Sequence, residues 1–224
     1  MNKRIAVETL TLKEAAALFY ESLEPAYPKF KTAVDVYAKK LKKVKKTRDK
    51  WVKTYEEIKG AKINFYTEFT PDSTAPIVGS AMVYRSTRGL LLIAADTSYG
   101  GVQRGVTARN TRDKWVRIYT EHCCERYAER ILNAENPTFQ TGSEGIMFAD
   151  LAGPVRVTDM IADGVEEIEF QFKGGQAYGY RDGNSNIVYL KTFYSDNMLK
   201  GERGRFRDDW KDTLQQLHDY FGWS

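Results

Sequence analysis

The segment WVRIYTEHCCERYAERIL, residues 115–132, predicts a strand that leads directly into a helix. Residues 115–119 are rich in β-branched and aromatic side chains, which favour a short strand. Thr120 is the expected N-cap, because its hydroxyl can accept a backbone N–H from the first helical turn. After it, apolar side chains recur every three or four residues, which predicts one buried helix face. They are Cys124, Tyr127, Ala128 and Ile131.

The opposite face of this predicted helix carries His122, Arg126 and Arg130, spaced four apart. Histidine is the side chain that titrates nearest neutral pH, so His122 is a candidate general acid or base. Arginine is suited to bidentate contact with phosphate. The alternative is that His122 is an ordinary solvated residue in the first turn of a helix. The chain's other histidine, His218, is expected at the surface of a C-terminal helix.

Extended segments flank the central helix on both sides, and tight glycine-containing turns separate the later ones. This pattern predicts an antiparallel meander. We expect strands at 62–69, 81–86, 90–95, 167–172, 176–181 and 187–194. Residues 138–153 are glycine-rich and are expected to be irregular. A C-terminal helix is expected from about Asp208.

The N-terminal region predicts helices over 11–24 and from about 26 to Gly60, where a heptad-like apolar stripe continues to Ile58. Residues 38–60 hold ten basic and three acidic side chains, a net charge of +7 in a chain of net charge +4. The lysines form either a solvated face or an arm that contacts phosphates or a partner, and the stripe could drive self-association through residues 26–59.

The predicted fold class is α+β. A basic helical extension over 1–60, as a hairpin or one long helix, precedes an α+β domain over 61–224, in which an antiparallel sheet packs with a central and a C-terminal helix.

Composition excludes several classes of protein. Hydrophobic residues make up 42% of the 224, with no run of about 18 apolar residues, so we expect a folded chain without a membrane span. The two cysteines are adjacent, which argues against a disulfide framework or a cysteine zinc site, and we expect a cytoplasmic location. Phosphate-loop, dinucleotide-binding and nucleophile-elbow motifs are missing from the sequence. We therefore expect no cofactor and no metal.

Further candidate residues lie on the predicted meander. Lys191 offers charge to a phosphate, and Thr192 and Ser195 offer hydroxyl donors. Tyr178, Tyr180 and Arg181, on the neighbouring strand, provide stacking and cationic surface. Simple alternation along a strand would place Lys191 and Phe193 on one face. For each of these residues the alternative is an ordinary position in the sheet.

A strand, then H-x-x-x-R-Y-x-x-R on a helix, then a meander with a late Lys-Thr-Phe, resembles the barnase–EndoU–colicin–RelE-like nuclease superfamily, and particularly its phage- and mobile-element-borne members. The resemblance covers roughly residues 115–200. It implies an RNA-cleaving domain with His122 in the acid–base role, and with Lys191 and Thr192 near the scissile bond. It also implies that Arg126 and Arg130 bind phosphate or brace the fold.

Two classes of function follow from the sequence. The first is a metal-independent, RNase-like protein of a bacterial phage or mobile element, which uses acid–base chemistry on RNA phosphodiesters. The alternative is a non-catalytic interaction or nucleic-acid-binding protein that self-associates through its long N-terminal helix.

Overall fold

The computed structural model describes residues 12–44, 49–58, 61–69, 77–86, 89–96, 116–149, 155–162, 164–172, 174–182 and 187–201. Within these residues lie three α-helices, nine strands and a short 3₁₀ helix. The helices are α1 (Leu12–Val44), α2 (Glu121–Arg130) and α3 (Phe139–Ala149), and the 3₁₀ helix is Asp196–Met198. The strands are β1 (Asp49–Ile58), β2 (Ala61–Phe69), β3 (Ile77–Ser86), β4 (Gly89–Asp96), β5 (Val116–Thr120), β6 (Val155–Ala162), β7 (Val165–Phe172), β8 (Gly175–Asp182) and β9 (Ile187–Ser195).

The nine strands form one sheet in the order β1-β2-β3-β4-β5-β9-β8-β7-β6. Each half of the sheet is an antiparallel meander, and the halves meet where β5 and β9 pair in parallel. Helices α2 and α3 lie in the connection that leads from the first meander to the second. The protein therefore has an α+β fold, as the sequence predicted.

Hydrophobic cores lie on both faces of the sheet. One core joins α1 to alternate residues of β2, β3, β4 and β5, and the rings of Phe30 and Phe65 stack at its centre with centroids 4.1 Å apart. The other core joins α2 and α3 to the opposite face, including Tyr119, Leu190 and Phe193. The period-two alternation of the strands supplies both cores, so the described residues form three layers with the sheet in the middle.

Helix α1 corrects the prediction for the N-terminal region. It runs without interruption from Leu12 to Val44, through Pro25 and Pro28, where two helices meeting near Pro25 were expected. Both prolines are exposed, whereas the apolar side chains around them are buried. These buried side chains are Phe19, Leu23, Ala26, Tyr27 and Phe30. Their burial stabilises the helix against the backbone hydrogen bonds that two interior prolines remove.

Residues 49–58 form strand β1, so the predicted helix to Gly60 is wrong over this part. The error arose because aromatic and β-branched residues at 51, 52, 54, 55 and 58 fit a strand as well as a helical stripe. Pairing with β2 decides between them, for example at Tyr55 opposite Ile63. The expected domain boundary at residue 60 therefore falls between two paired strands, and the segment before it is not helix alone.

Helix α3 and strand β6 correct the prediction that 138–153 is irregular and that strands resume at 167. The hydroxyl of Thr138 accepts the backbone N–H of Thr141 at 3.2 Å, which caps the first turn of α3. Its glycines allow close packing rather than disorder. A Cβ on Gly142 would lie 1.8 Å from the carbonyl oxygen of Cys124 in α2.

The remaining strand predictions are confirmed to within a few residues, as is the helix that follows Thr120. The C-terminal helix from Asp208, with His218, lies outside the described residues. So do the side chains of Leu41 and Val44, which belong to the predicted stripe. In the described part of the chain, no helix combines the length and the apolar character that a membrane span requires.

Candidate functional site

Helix α2 begins where β5 ends, and Thr120 makes this transition. Its backbone is extended, with φ −70° and ψ 161°, and its hydroxyl accepts the backbone N–H of Cys123 at 3.1 Å. The predicted N-cap is therefore confirmed. The next residue, Glu121, accepts the backbone N–H of Leu90 at 3.2 Å, which ties the first turn of α2 to strand β4.

Among the described residues, β9 has no strand neighbour on one side at 191–195, because its pairing with β5 stops at Leu190. We call this segment the open edge of β9. Side chains of the α2 region satisfy the backbone of this edge in place of a strand. The hydroxyl of Thr120 donates to the carbonyl of Lys191 at 3.1 Å, and the guanidinium of Arg130 donates to the carbonyl of Phe193 at 2.5 Å. The ring of Tyr127 packs edge-on against Phe193 with centroids 5.0 Å apart. Helix α2 and the open edge of β9 thus form one unit.

The predicted column of His122, Arg126 and Arg130 is present on α2. His122 is exposed, and the Nε of Arg126 lies 3.5 Å from its Nε2. For that contact to be a hydrogen bond, Nε2 must be unprotonated, since Arg126 can only donate. Arg126 also forms an ion pair with Glu129 at 2.5 Å, and the hydrogen bond from Arg126 lowers the pKa of the Glu129 carboxyl. Glu129 in turn lies 3.9 Å from Arg130.

Lys191 lies at a β-bulge in the pairing of β9 with β8. Thr192 pairs with Tyr178 and Leu190 pairs with Gly179, so Lys191 is an extra residue without a partner in the register. Lys191 is exposed, and its Nζ lies 4.8 Å from the centroid of the Tyr180 ring. The expectation that Lys191 and Phe193 share a face is wrong, because the bulge interrupts the alternation and Phe193 is buried against α2.

Two aromatic contacts continue the site across the open edge of β9. The Cζ of Arg130 lies 5.2 Å from the centroid of the Tyr194 ring, and Tyr194 packs edge-on against Tyr178 at 5.1 Å. A continuous series of contacts therefore leads from His122 through the arginines to two tyrosine rings. The contacts of Tyr194 and Glu129 were not predictable from the sequence, because they depend on the bulge and on how α2 packs against β9.

Three predicted site residues have structural contacts instead of free functional groups. Tyr178 is buried, and its hydroxyl donates to Gln176 at 2.6 Å. Ser195 is also buried and donates to Asn197 at 2.5 Å. The Nε and a terminal nitrogen of Arg181 both contact the Glu166 carboxylate. Of the other predicted residues, His122 contacts Arg126, and Arg126 is linked through Glu129 to Arg130 at the end of α2. Arg130 in turn contacts β9 at Phe193, and Lys191 and Thr192 lie on the same strand.

In the parts of the chain that the structure describes, no three His, Cys, Asp or Glu side chains are grouped so as to hold a metal ion. Comparison of the chain with protein-family models, with curated proteins and with solved structures finds no match.

Proposed function

We propose that this protein binds RNA where α2 meets the open edge of β9, and cleaves it there by acid–base chemistry without a metal ion. The observation that carries the proposal is the exposed imidazole of His122 with the guanidinium of Arg126 at 3.5 Å. Cleavage of a phosphodiester needs a base and a nearby cation, because the reaction removes a proton and develops negative charge. We also propose that the protein is cytoplasmic and belongs to a bacterial phage or mobile element.

In this reaction Arg126 turns from His122 to the phosphate, and the Nε2 of His122 that is freed takes the proton of a ribose 2′-hydroxyl. The 2′-oxygen then bonds to the adjacent phosphorus, and the bond from phosphorus to the 5′-oxygen breaks. The departing 5′-oxygen takes a proton from solvent, which reaches the exposed site, and His122 later returns its proton to solvent. The products are a 2′,3′-cyclic phosphate and a free 5′-hydroxyl.

The neighbouring side chains bind and stabilise the phosphate. Arg126 is half-exposed, with Glu129 as its ion-pair partner, and a phosphate oxygen can compete for it. Lys191 offers a second cation from the bulge, and Thr192 beside it offers a hydroxyl. Arg130 holds the backbone of Phe193 and so braces the site, one of the two roles expected for it.

The test is cleavage of a labelled RNA in EDTA by wild type, His122→Ala and, as a matched control, Glu135→Gln in the exposed loop after α2. We expect wild type and the control to cleave equally, and His122→Ala to lose about 10²–10⁴ in rate, as for other general bases. The cleaved end should be a cyclic phosphate. Equal cleavage by wild type and His122→Ala, or cleavage by neither, would refute the proposal.

A non-catalytic nucleic-acid-binding protein is the second candidate. The contacts that hold Arg130, Arg181 and Ser195 favour it, because they leave fewer groups for chemistry. It predicts RNA binding that weakens steeply with salt, with no cleavage.

Self-association through 26–59 is a further proposal, although Phe30 of the stripe is buried in the core. Sedimentation equilibrium of wild type and Leu41→Glu tests it, since a dimer held by this stripe should dissociate.

A further inference from the structure

Tyr194 on β9 and Tyr180 on the neighbouring strand β8 each carry a cation, and the two cations are held differently. Arg130 lies over Tyr194 and is anchored by its hydrogen bond to the carbonyl of Phe193. Lys191 lies over Tyr180 from an exposed position on the bulge. A lysine side chain has four rotatable bonds and a strongly hydrated head, so it can leave a ring face at little cost. The ring of Tyr180 is therefore a surface that another flat group can take over.

We propose that these residues form a stacking platform for unpaired bases, and that the protein's nucleic-acid substrate is single-stranded. One base replaces the ammonium of Lys191 on the Tyr180 ring, and Lys191 turns to the adjacent phosphate. A second base stacks on the guanidinium of Arg130, whose other face rests on Tyr194. This inference rests on the proposed function, because it extends the same site from the phosphate to the bases.

The geometry favours a single strand over a duplex. Bases in a duplex are stacked on one another, so their faces are not available to Tyr180 without unpairing. Stacking on an aromatic ring accepts any base, since every base has a π-face, and it is stronger than a cation–π contact at an exposed site. Arg130, which carries the second stacking position, connects through Glu129 and Arg126 to the proposed base, His122. Tyr180 lies on the neighbouring strand β8 and joins the platform through Lys191.

The experiment measures binding by fluorescence anisotropy with a labelled 12-nucleotide 2′-O-methyl RNA, which lacks the attacking hydroxyl. The strand is offered alone, as a duplex, and as an equally long strand in which abasic spacers replace the bases. We compare wild type with Tyr180→Leu and with Tyr180→Phe, the matched control that keeps the ring. We expect wild type to prefer the single strand over both other ligands, and Tyr180→Leu to bind it about 5- to 150-fold more weakly. Tyr180→Phe should bind as wild type does.

Each outcome bears on one proposal or the other. Equal affinity of wild type for the single strand and the abasic strand would overturn the platform, and this readout needs no variant to fold. Tight duplex binding, or a folded Tyr180→Leu that binds normally, would also overturn the platform and leave cleavage at His122 intact. If wild type binds none of the three ligands, both proposals fail.

Discussion

The hydroxyl of Thr120 at the end of β5 donates a hydrogen bond to the carbonyl of Lys191 on β9 at 3.1 Å, while it accepts the backbone N–H of Cys123 at the same distance. One side chain therefore fixes where α2 begins and satisfies the first backbone group beyond the end of the parallel pairing. The bulge at Lys191 and the first turn that carries His122 are held together by this residue.

Replacement of Thr120 by Val should destabilise the protein. The branched shape suits the strand, but both hydrogen bonds of the hydroxyl are lost. Loss of an N-cap costs about 0.5–2 kcal/mol, whereas the carbonyl of Lys191 is at an exposed site where water can replace the hydroxyl. Thr120→Ser keeps the hydroxyl and should retain most of the stability. Urea unfolding of the two variants checks this, and a Val variant as stable as wild type would show that the cap contributes nothing.

Arg130 should contribute more to the stability of the protein than Arg126, although the two are four residues apart on one helix. The side chain of Arg130 is 21% exposed and holds the carbonyl of Phe193, whereas that of Arg126 is 37% exposed and pairs with an exposed carboxylate. We expect Arg130→Met to lower the free energy of unfolding by about 1.5–3 kcal/mol, the range for hydrogen bonds to charged groups.

Arg126→Met should change the free energy of unfolding by less than about 1 kcal/mol, because exposed ion pairs contribute little. The proposed function predicts that this variant instead binds RNA more weakly and with a smaller salt dependence, since it lacks one proposed phosphate contact. Denaturant unfolding and anisotropy titrations of both variants separate the two roles. The reverse pattern, a stable Arg130→Met with an unstable Arg126→Met, would contradict it.

Local sequence signals were sufficient to predict α2 at the centre of the fold. They were insufficient where tertiary contacts determine whether a segment is a helix or a strand. Thr120 and the three-to-four spacing after it define α2, because the cap and the buried face are both local. Residues 49–58 satisfy helical and strand patterns together, and only their pairing with β2 selects the strand. Pro25 suggested a helix end, yet burial of Leu23 and Ala26 on one side carries α1 past it.

The candidate site was predictable in its helical part and less so in its sheet part. A spacing of four brings His122 and Arg126 together on any helix. Lys191 depends instead on a bulge, and a bulge requires knowledge of the partner strand and of Gly179 opposite it. Ser195 and Arg181 were attractive as free polar groups, but their partners, Asn197 and Glu166, are visible only in the folded chain.

Substitution of Gly142 by Ala is a test in which helix propensity and packing predict opposite changes in stability. Glycine to alanine inside a helix normally stabilises by about 0.5–1 kcal/mol. In α3, however, a Cβ at this position would lie 1.8 Å from the carbonyl oxygen of Cys124, a backbone atom that cannot move aside alone. We therefore expect Gly142→Ala to destabilise by about 1–3 kcal/mol or more, as overpacking does.

Gly145, on the same helix, is the matched control. A Cβ there would lie 2.8 Å from a terminal carbon of the exposed Leu132 side chain and from the ring of Tyr127. The Leu132 side chain can rotate away, and the Tyr127 ring at 2.8 Å is farther than the backbone oxygen at 1.8 Å from Gly142, so Gly145→Ala should cost less than Gly142→Ala. Thermal unfolding of the two variants measures the difference. A stabilised Gly142→Ala would mean that α2 and α3 do not approach as closely as the structure places them.

The buried thiols of Cys123 and Cys124 should make stability fall at alkaline pH. Burial raises the pKa of both above the ordinary value of 9.0, so the folded protein keeps protons that the unfolded chain releases. Their contribution is therefore fully present below pH 9 and declines above it, by about 1.4 kcal/mol per thiol between pH 8 and pH 10. Urea unfolding at the two pH values measures the decline, and Cys123→Ala should remove the share of one thiol. An identical decline in wild type and Cys123→Ala, or rapid reaction of the native thiols with a disulfide reagent at pH 8, would show that Cys123 is accessible to solvent.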